Sequence, residues 1–345
     1  MRYQFAASVV VLLLSAVVEN AWGQVQYTVT DLGPGTANGI NDSGQVVGQN
    51  GLGDAFVYSG GSMTDLGPGA ANGINDSGQV VGQNGLGDAF IYSGGSMTDL
   101  GPGAANDIND NGQVVGWFNA GTQHAFLYTG GTMHDLGTYA NSTYSYATSV
   151  NENGQVVGQT YYQAFLWQSG SGMQEFNPQG LNFSFATGIN DSGQVVGSAY
   201  IGGKYHAFLY SSSSLMLQDL GTLPGENYSV ATGINNNAGE IVGYAYSNNF
   251  VVPPPGSSGA YDYEAFLDSN GVMENLNNLI PGSGWTLEEA TGINYSGQIC
   301  GYGASPSGQA DAFLLTPTPE PSTLALLGVA TVGLLGYVWR RRRAA

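Results

Sequence analysis

Hydrophobic residues along this chain come in short runs, parted by Gly, Asn, Asp and Ser. The clearest example is Ile40-Asn41-Asp42-Ser43-Gly44-Gln45-Val46-Val47-Gly48. It returns at 74–82, 108–116, 150–158, 189–197, 234–243 (one residue longer, at Ala238) and 293–301, seven copies in all. Asn suits the first position of a type I turn, because its side chain can bond the backbone two residues on. The following Gly takes the left-handed conformation that closes a three-residue hairpin loop with a bulge. Gln-Val-Val is β-branched and short, as a strand should be. Each copy therefore predicts strand, tight turn, strand.

A second phrase follows every hairpin: Ala55-Phe56-Val57-Tyr58, then Ala89-Phe90, Ala125-Phe126, Ala164-Phe165, Ala207-Phe208, Ala265-Phe266 and Ala312-Phe313. A glycine turn leads from it to a fourth strand, Met63-Thr64-Asp65-Leu66, with counterparts at Met97, Met133, Met173, Met216 and Met273. Residues 31–64 and 65–98 are nearly the same text, differing at Thr36/Ala70 and Val57/Ile91. Four short strands in roughly 34 to 58 residues is the period of a propeller blade. The last copy runs into Thr316-Pro317 without a fourth strand, and the orphan strand Tyr27–Leu32 supplies one. The expected fold is all-β: a seven-bladed β-propeller of four-stranded blades over 24–315, closed by the N-terminal strand, with a β-solenoid as the alternative.

Loop lengths divide the two faces of such a body. Within the hairpin phrase, and from Ala to Met, spacing hardly changes. All insertions fall between strands 2 and 3 or between strand 4 and the next strand 1, which emerge on one face. Variable insertions on one face point to the binding side. That face carries the candidate ligand residues Trp117, Tyr144, Tyr146, Tyr205, His206, Tyr228, Tyr263 and Trp285, with Phe118, Tyr139, Tyr161, Tyr162, Tyr200, Tyr246 and Tyr261 around them. Exposed Tyr and Trp among Gly, Ser and Asn suit adaptable recognition, and flat rings can stack on sugar rings. The alternative is that such rings cap the repeat cores. Val251-Val252-Pro253-Pro254-Pro255-Gly256 is a stiff loop on the same face.

Composition narrows the partners. The chain has 345 residues, 55 of them Gly, only 9% charged, with a formal net charge of -19. Its six basic residues are Arg2, Lys204 and Arg340, Arg341, Arg342 and Arg343, so the central body holds one Lys and no Arg. That excludes nucleic acid, whose phosphates need a basic footprint. No metal site is assigned. A calcium loop on Asp42, Asp76, Asp110 and Asp191 lacks the alternating ligands and distal bidentate acid of an EF-hand. A ring of His124, His206, Asp54, Asp88, Gln163, Glu264 and Asp311, all preceding Ala-Phe, could hold a cation such as calcium, or simply meet solvent. The single Cys300 stands where other copies carry a Val of Gln-Val-Val and reads as a core residue. His134 reads as an isolated surface residue. No catalytic residues are assigned, and no cofactor.

The two ends carry an address. Residues 1–23 form a signal peptide, with Arg2, the apolar stretch Ala6–Val18 and Ala21-Trp22-Gly23, cleaved between Gly23 and Gln24. Residues 316–322 are a Pro-rich linker holding Pro319-Glu320-Pro321. Residues 323–339 are apolar, and about 17 residues at 1.5 Å each are enough for a short membrane helix. The basic tail 340–345 keeps that end in the cytoplasm.

These three parts in order resemble a PEP-CTERM sorting signal. The resemblance implies an exosortase, a membrane transpeptidase, as partner, and a membrane-anchored precursor delivered to the cell surface or extracellular matrix. Residues 27–315 resemble the bacterial extracellular HAF-repeat proteins, although His-Ala-Phe is intact only at His124 and His206. The functional reading is a non-catalytic exported surface or matrix protein that binds polysaccharide or envelope components through one loop face. A propeller-type polysaccharide hydrolase or lyase, using carboxylates among Glu226, Asp262, Glu264, Glu288 and Glu289, is the alternative. A protein-interaction scaffold is the third.

Overall fold

The structure, a computed structural model, describes residues 25–139, 142–175, 183–211, 216–247 and 262–318. The signal peptide with its Gly23/Gln24 junction, the Pro-rich loop, Tyr261, Pro319–Pro321, the apolar span 323–339 and the four arginines lie outside these residues. Among the described residues no helix is long and apolar enough to cross a membrane. The chain divides into two compact units, Met1–Thr28 with Pro317–Ala345, and Val29–Thr316. In the first, Thr318 Oγ1 donates to the Gln26 carbonyl at 2.9 Å.

The body is all-β, with one 3-10 turn at Leu276–Leu279. Its strands form one 13-stranded sheet and three 4-stranded sheets, antiparallel throughout the described pairings. The first repeat pairs Gln26–Ile40, Val46–Asn50, Asp54–Ser59 and Ser62–Ile74 in sequence order. Three strands, Gln26–Ile40, Ser62–Ile74 and Ser96–Ile108, serve two neighbouring groups at once. The sequence reading split each of these into two short strands. They are continuous because the connection is only Gly-Pro-Gly: at Gly33 and Gly35 φ is 84° and 135°, which lets the backbone bend without a loop. Gln26–Ile40 pairs on one side with Val46–Asn50 and on the other with Ala310–Thr318, so the orphan N-terminal strand does join the last repeat.

The hairpin has the predicted geometry. Gly44 N donates to the Asn41 carbonyl at 3.0 Å, Asn41 N to Gln45 O at 3.1 Å, and Gly44 has φ 74°. The Asn side chain does more than form a turn. Asn41 is 4% exposed. Its Oδ1 accepts from Gln45 N at 2.9 Å. Its Nδ2 donates to Gln45 Oε1 at 2.8 Å and to the carbonyl of Asn75, the same residue of the next repeat, at 3.0 Å. Asn75, Asn109, Asn151, Asn190, Asn235 and Asn294 repeat the reach, and Asn294 donates back to Asn41 O at 3.0 Å. The chain of contacts closes on itself.

A second closed chain lies beside it. Every first strand has a bulge after its Ala, as between Ala37 and Gly39. The extra residue, Asn38, Asn72, Asn106, Thr148, Thr187, Thr232 or Thr291, donates to the Ala carbonyl of the next repeat. The core of each repeat is its Ala-Phe pair: all seven Phe are no more than 1% exposed. The Gly that ends each hairpin phrase makes room for that ring. A Cβ on Gly48 would meet Thr36 O at 2.0 Å and the Phe56 ring at 3.0 Å. Asp-Leu-Gly has its own reason: Asp65 Oδ1 accepts from Gly67 N at 2.7 Å, fixing the bend that follows the fourth strand.

Replacing Asn109 by Ala removes acceptors and donors from groups that stay buried. We expect a loss of about 2–4 kcal/mol in denaturant unfolding. Replacing the adjacent exposed Asp110 by Ala is expected to cost within about 1 kcal/mol. Equal losses at the two positions would mean that the buried bridge adds nothing.

Candidate functional site

The first strands face one another around a narrow passage of about 190 Å³. One position per repeat sets its width: Gly39, Gly73, Asp107, Ser149, Gly188, Gly233 and Gly292. A Cβ on Gly39 would come within 2.8 Å of Asn72 O and one on Gly73 within 3.1 Å of Asn106 O, whereas at Gly188, Gly233 and Gly292 the nearest atoms stand at 3.3–3.4 Å. Asp107 and Ser149 depart together. Asp107 Oδ2 accepts from Ser149 Oγ at 2.8 Å and Val150 N at 2.9 Å, and its Oδ1 from Ile108 N at 2.9 Å. Burial nevertheless dominates, and the Asp107 carboxyl is pushed up to about 6. The Cys300 thiol, at 0% exposure, is also pushed up by burial, to about 11, which fits a core residue.

At the turn end of the repeats, backbone N–H groups meet carboxylates of the next repeat. Asp42 N donates to Asp76 Oδ1, Asp76 N to Asp110 Oδ1, Asp110 N to Glu152 Oε1 and Glu152 N to Asp191 Oδ1, each at 2.8 Å. Burial, then repulsion from the flanking acids, raises the Asp76 and Glu152 carboxyls. Among the described residues no three His, Cys, Asp or Glu side chains converge as a metal group. His124 Nδ1 instead lies 3.0 Å from Asp135 Oδ2, and His206 Nδ1 3.1 Å from Asp219 Oδ2. Each is a pairing of third and fourth strands within its own repeat.

The insertion-bearing connections carry the aromatic residues. Trp117 meets Tyr146 edge-on at 6.0 Å between ring centroids, and Tyr146 meets Tyr144 at 5.2 Å. The contacts continue through Tyr161 at 5.3 Å, Tyr162 at 4.0 Å, Phe183 at 5.2 Å and Tyr200 at 6.1 Å to Tyr205 at 5.3 Å. Tyr161, Tyr162 and Tyr200 are 48%, 50% and 39% exposed. The result is a continuous strip across repeats 3 to 5. A second group forms in repeat 6: Tyr228 stacks on Tyr246 at 5.0 Å and 17°, and Tyr263 stands 5.5 Å from Tyr244. Trp285 joins neither, because it lies edge-on to the buried Phe313 at 6.2 Å and covers the core. His206 is held by Asp219 rather than presented with the rings.

Beside the second group lie the carboxylates. Burial raises Glu226, with Glu264 and Asp262 repelling it further, and Glu226 Oε2 is buried with no partner among the described residues. Burial and Asp262 raise Glu288. Burial raises Glu289 although Tyr302 donates to its Oε2 at 2.6 Å. The Tyr302 and Tyr244 hydroxyls are raised in turn by burial and by Glu289. Sequence reasoning missed Phe183, Tyr244 and Tyr302. The last two follow the hairpin Gly, at the position of Trp117, and aligning the repeats on that Gly would have found them.

Comparison with known proteins gives two findings. Residues 317–343 match the PEP-CTERM protein-sorting motif. The motif marks an exported protein processed by exosortase, carried as a membrane-anchored precursor and then to the cell surface. No curated protein sequence matches the chain. Among solved structures, similar folds occur in a putative TolB from Agrobacterium tumefaciens (12% identity, 86% of this chain, 100% of that one, TM-score 0.43). An oligogalacturonate lyase in complex with manganese is also similar (10% identity, 86% and 96%, TM-score 0.46). So is a puromycin hydrolase mutant (13% identity, 84% and 53%, TM-score 0.48). These neighbours are β-propeller proteins of mixed functions.

Asp107 gives a pH dependence. Its folded value, about 6, lies above that of an unfolded Asp, so the native state binds the extra proton. The stabilising contribution is complete below about pH 4 and is lost as pH rises through 6. Asp107→Gly restores the residue of repeats 1 and 2 and removes the titration. Relative to the parent, the variant should gain about 2 kcal/mol between pH 4 and 8 in denaturant midpoints. A constant difference across that range would contradict the assignment.

Proposed function

We propose that this chain is a surface-displayed, exosortase-sorted, HAF-type seven-bladed β-propeller that binds extracellular polysaccharide through the aromatic strip of repeats 3 to 5. In this reading the strand 26–32 is the outer strand of the last blade, and removal of the tail near Pro319–Pro321 releases the body to the surface or matrix. The observation that carries it is the run of ring contacts from Trp117 to Tyr205, with three tyrosines open to solvent. Tyr and Trp present large apolar area at little entropic cost, and their rings match the C–H faces of sugars. The strip bears no carboxylate of its own, so a neutral polymer meets no repulsion there.

A second reading, hydrolysis or lysis of the same polymer, is favoured by the raised carboxyls of Glu226, Glu288 and Glu289, since an acid held protonated can act as a general acid. Measuring polymer chain length in the same mixtures decides it. Shortening that Glu226→Gln abolishes makes the protein an enzyme.

The direct test uses the producing strain's extracellular polysaccharide. Tyr161→Ala with Tyr162→Ala should weaken binding about tenfold or more, while the melting temperature stays within a few degrees of the parent. Unchanged binding would remove the strip from the ligand site.

A further inference from the structure

On the opposite side of the body, between repeats 3 and 4, lies a cleft of about 510 Å³. Its walls are Trp167 and Ser169 from repeat 4, His134 and Thr129 from repeat 3, and Gln113 and Asn153 from the two turns. Because Gln113, Asn153 and Gly154 belong to the Asn-x-x-Gly hairpins, the cleft opens on the turn side, away from the variable connections. We infer that this cleft is a separate binding site for one neutral sugar residue, with the Trp167 indole as its platform.

The repeat itself supplies the first argument. Repeats 1 and 2 carry Tyr58 and Tyr92 where repeat 4 carries Trp167, and Thr64 and Thr98 where repeat 3 carries His134. The turn after Trp167 is also one residue longer, reading Gln168-Ser169-Gly170-Ser171-Gly172 against Ser59-Gly60-Gly61-Ser62. The same positions vary elsewhere too: repeats 6 and 7 carry Asp268 and Leu315 where repeat 4 has Trp167, repeats 4, 5 and 6 carry Gln174, Leu217 and Glu274 where repeat 3 has His134, and the turn of repeat 5 is as long. What is particular here is that the one Trp and the one His at these two positions border the same cleft.

The second argument is chemical. Trp167 is half-buried, its body packed on the core of repeats 3 and 4 and its remaining surface in the cleft. Around it stand groups that hydrogen-bond without charge. Gln113 Oε1 accepts from Asn109, leaving Nε2 without a partner among the described residues. Asn153 Nδ2 donates to Asp191 O, leaving its Oδ1 as acceptor. The hydroxyls of Thr129 and Ser169 and the ring of His134 complete the rim. The one carboxylate present, Asp135, is engaged by His124 and by Gly137 N. An apolar platform within a rim of neutral donors and acceptors matches a pyranose, which has C–H faces and a hydroxyl edge. The volume falls in the range of small-ligand pockets. An anionic sugar is disfavoured because the body holds a single Lys and no Arg, and none of the cleft's lining residues is basic in that way.

This inference goes beyond the aromatic strip and fails or stands separately from it. The full chain, in a detergent without a sugar headgroup, is titrated with the methyl glycosides of glucose, galactose and mannose and with N-acetylglucosamine, followed by ligand-detected NMR. At least one probe should bind. The double variant His134→Thr with Trp167→Tyr restores the residues of repeats 1 and 2 and should keep the parent melting curve, while weakening that binding at least tenfold. Tyr161→Ala with Tyr162→Ala should leave it unchanged. Equal affinity in the restored variant, or no binding by any of these neutral probes, would overturn the assignment. So would loss of probe binding in the strip variant. Loss of polymer binding in the strip variant with probe binding intact supports two sites.

Discussion

The body depends on a buried amide that belongs to two repeats at once. Each hairpin Asn spends its carbonyl oxygen on its own turn and its amino group on the next turn, so a repeat cannot complete its hydrogen bonds alone. A buried donor without an acceptor costs about as much as a lost hydrogen bond. The consequence is a body whose ends meet, since a chain that stopped after Asn294 without reaching Asn41 would leave one Nδ2 hydrogen of Asn294 without its acceptor, while the Asn41 carbonyl would keep only the Gly44 N–H of its own turn. The bulge residue sets the same condition a second time through Thr291 and Ala37.

Much of this could be read from the sequence, and the boundary is physical. The turn was legible because Asn and Gly each have one local reason to stand there, and Gly44 at φ 74° confirms it. The closing strand was legible because Tyr27–Leu32 repeats the text of a fourth strand. The amino group of Asn was not legible, because its partner lies 34 residues or more away and the turn already accounted for the residue. One signal was available: Asn never changes, while the position after it is Asp, Glu, Asn or Tyr. A turn alone would have tolerated Asp or Ser. Of the candidate ligand face, the sequence named the residues but not their contacts: the rings of repeats 3 to 5 touch in a run, whereas Trp285 packs edge-on to Phe313. Loop length shows where a ring starts, not which way it packs.

A near-perfect repeat also turns each exception into information. Gly39, Gly73, Gly188, Gly233 and Gly292 line the central passage without side chains, so Asp107 and Ser149 stand out as a pair that answer each other. Trp117, Tyr244 and Tyr302 replace the Gln49 and Gln83 of the early repeats, whose amides reach Gly69 O and Gly103 O. The first two repeats thus use that position to hold the next one, while repeats 3, 6 and 7 carry a ring there and repeats 4 and 5 carry Gln159 and Ser198.

Charge narrows the chemistry. The carboxylates at the turn end are already bound to the backbone of the preceding repeat, so they hold the body together at the cost of crowding like charges, as the raised Asp76 and Glu152 carboxyls show. With one Lys in the body, and that Lys204 donating to Asn227, nothing neutralises them from within. Attraction of an acidic polymer by the body is therefore closed off. The proposed contacts ask for no charge: the rings of the strip against C–H faces, and at Trp167 a ring beside the amides of Gln113 and Asn153.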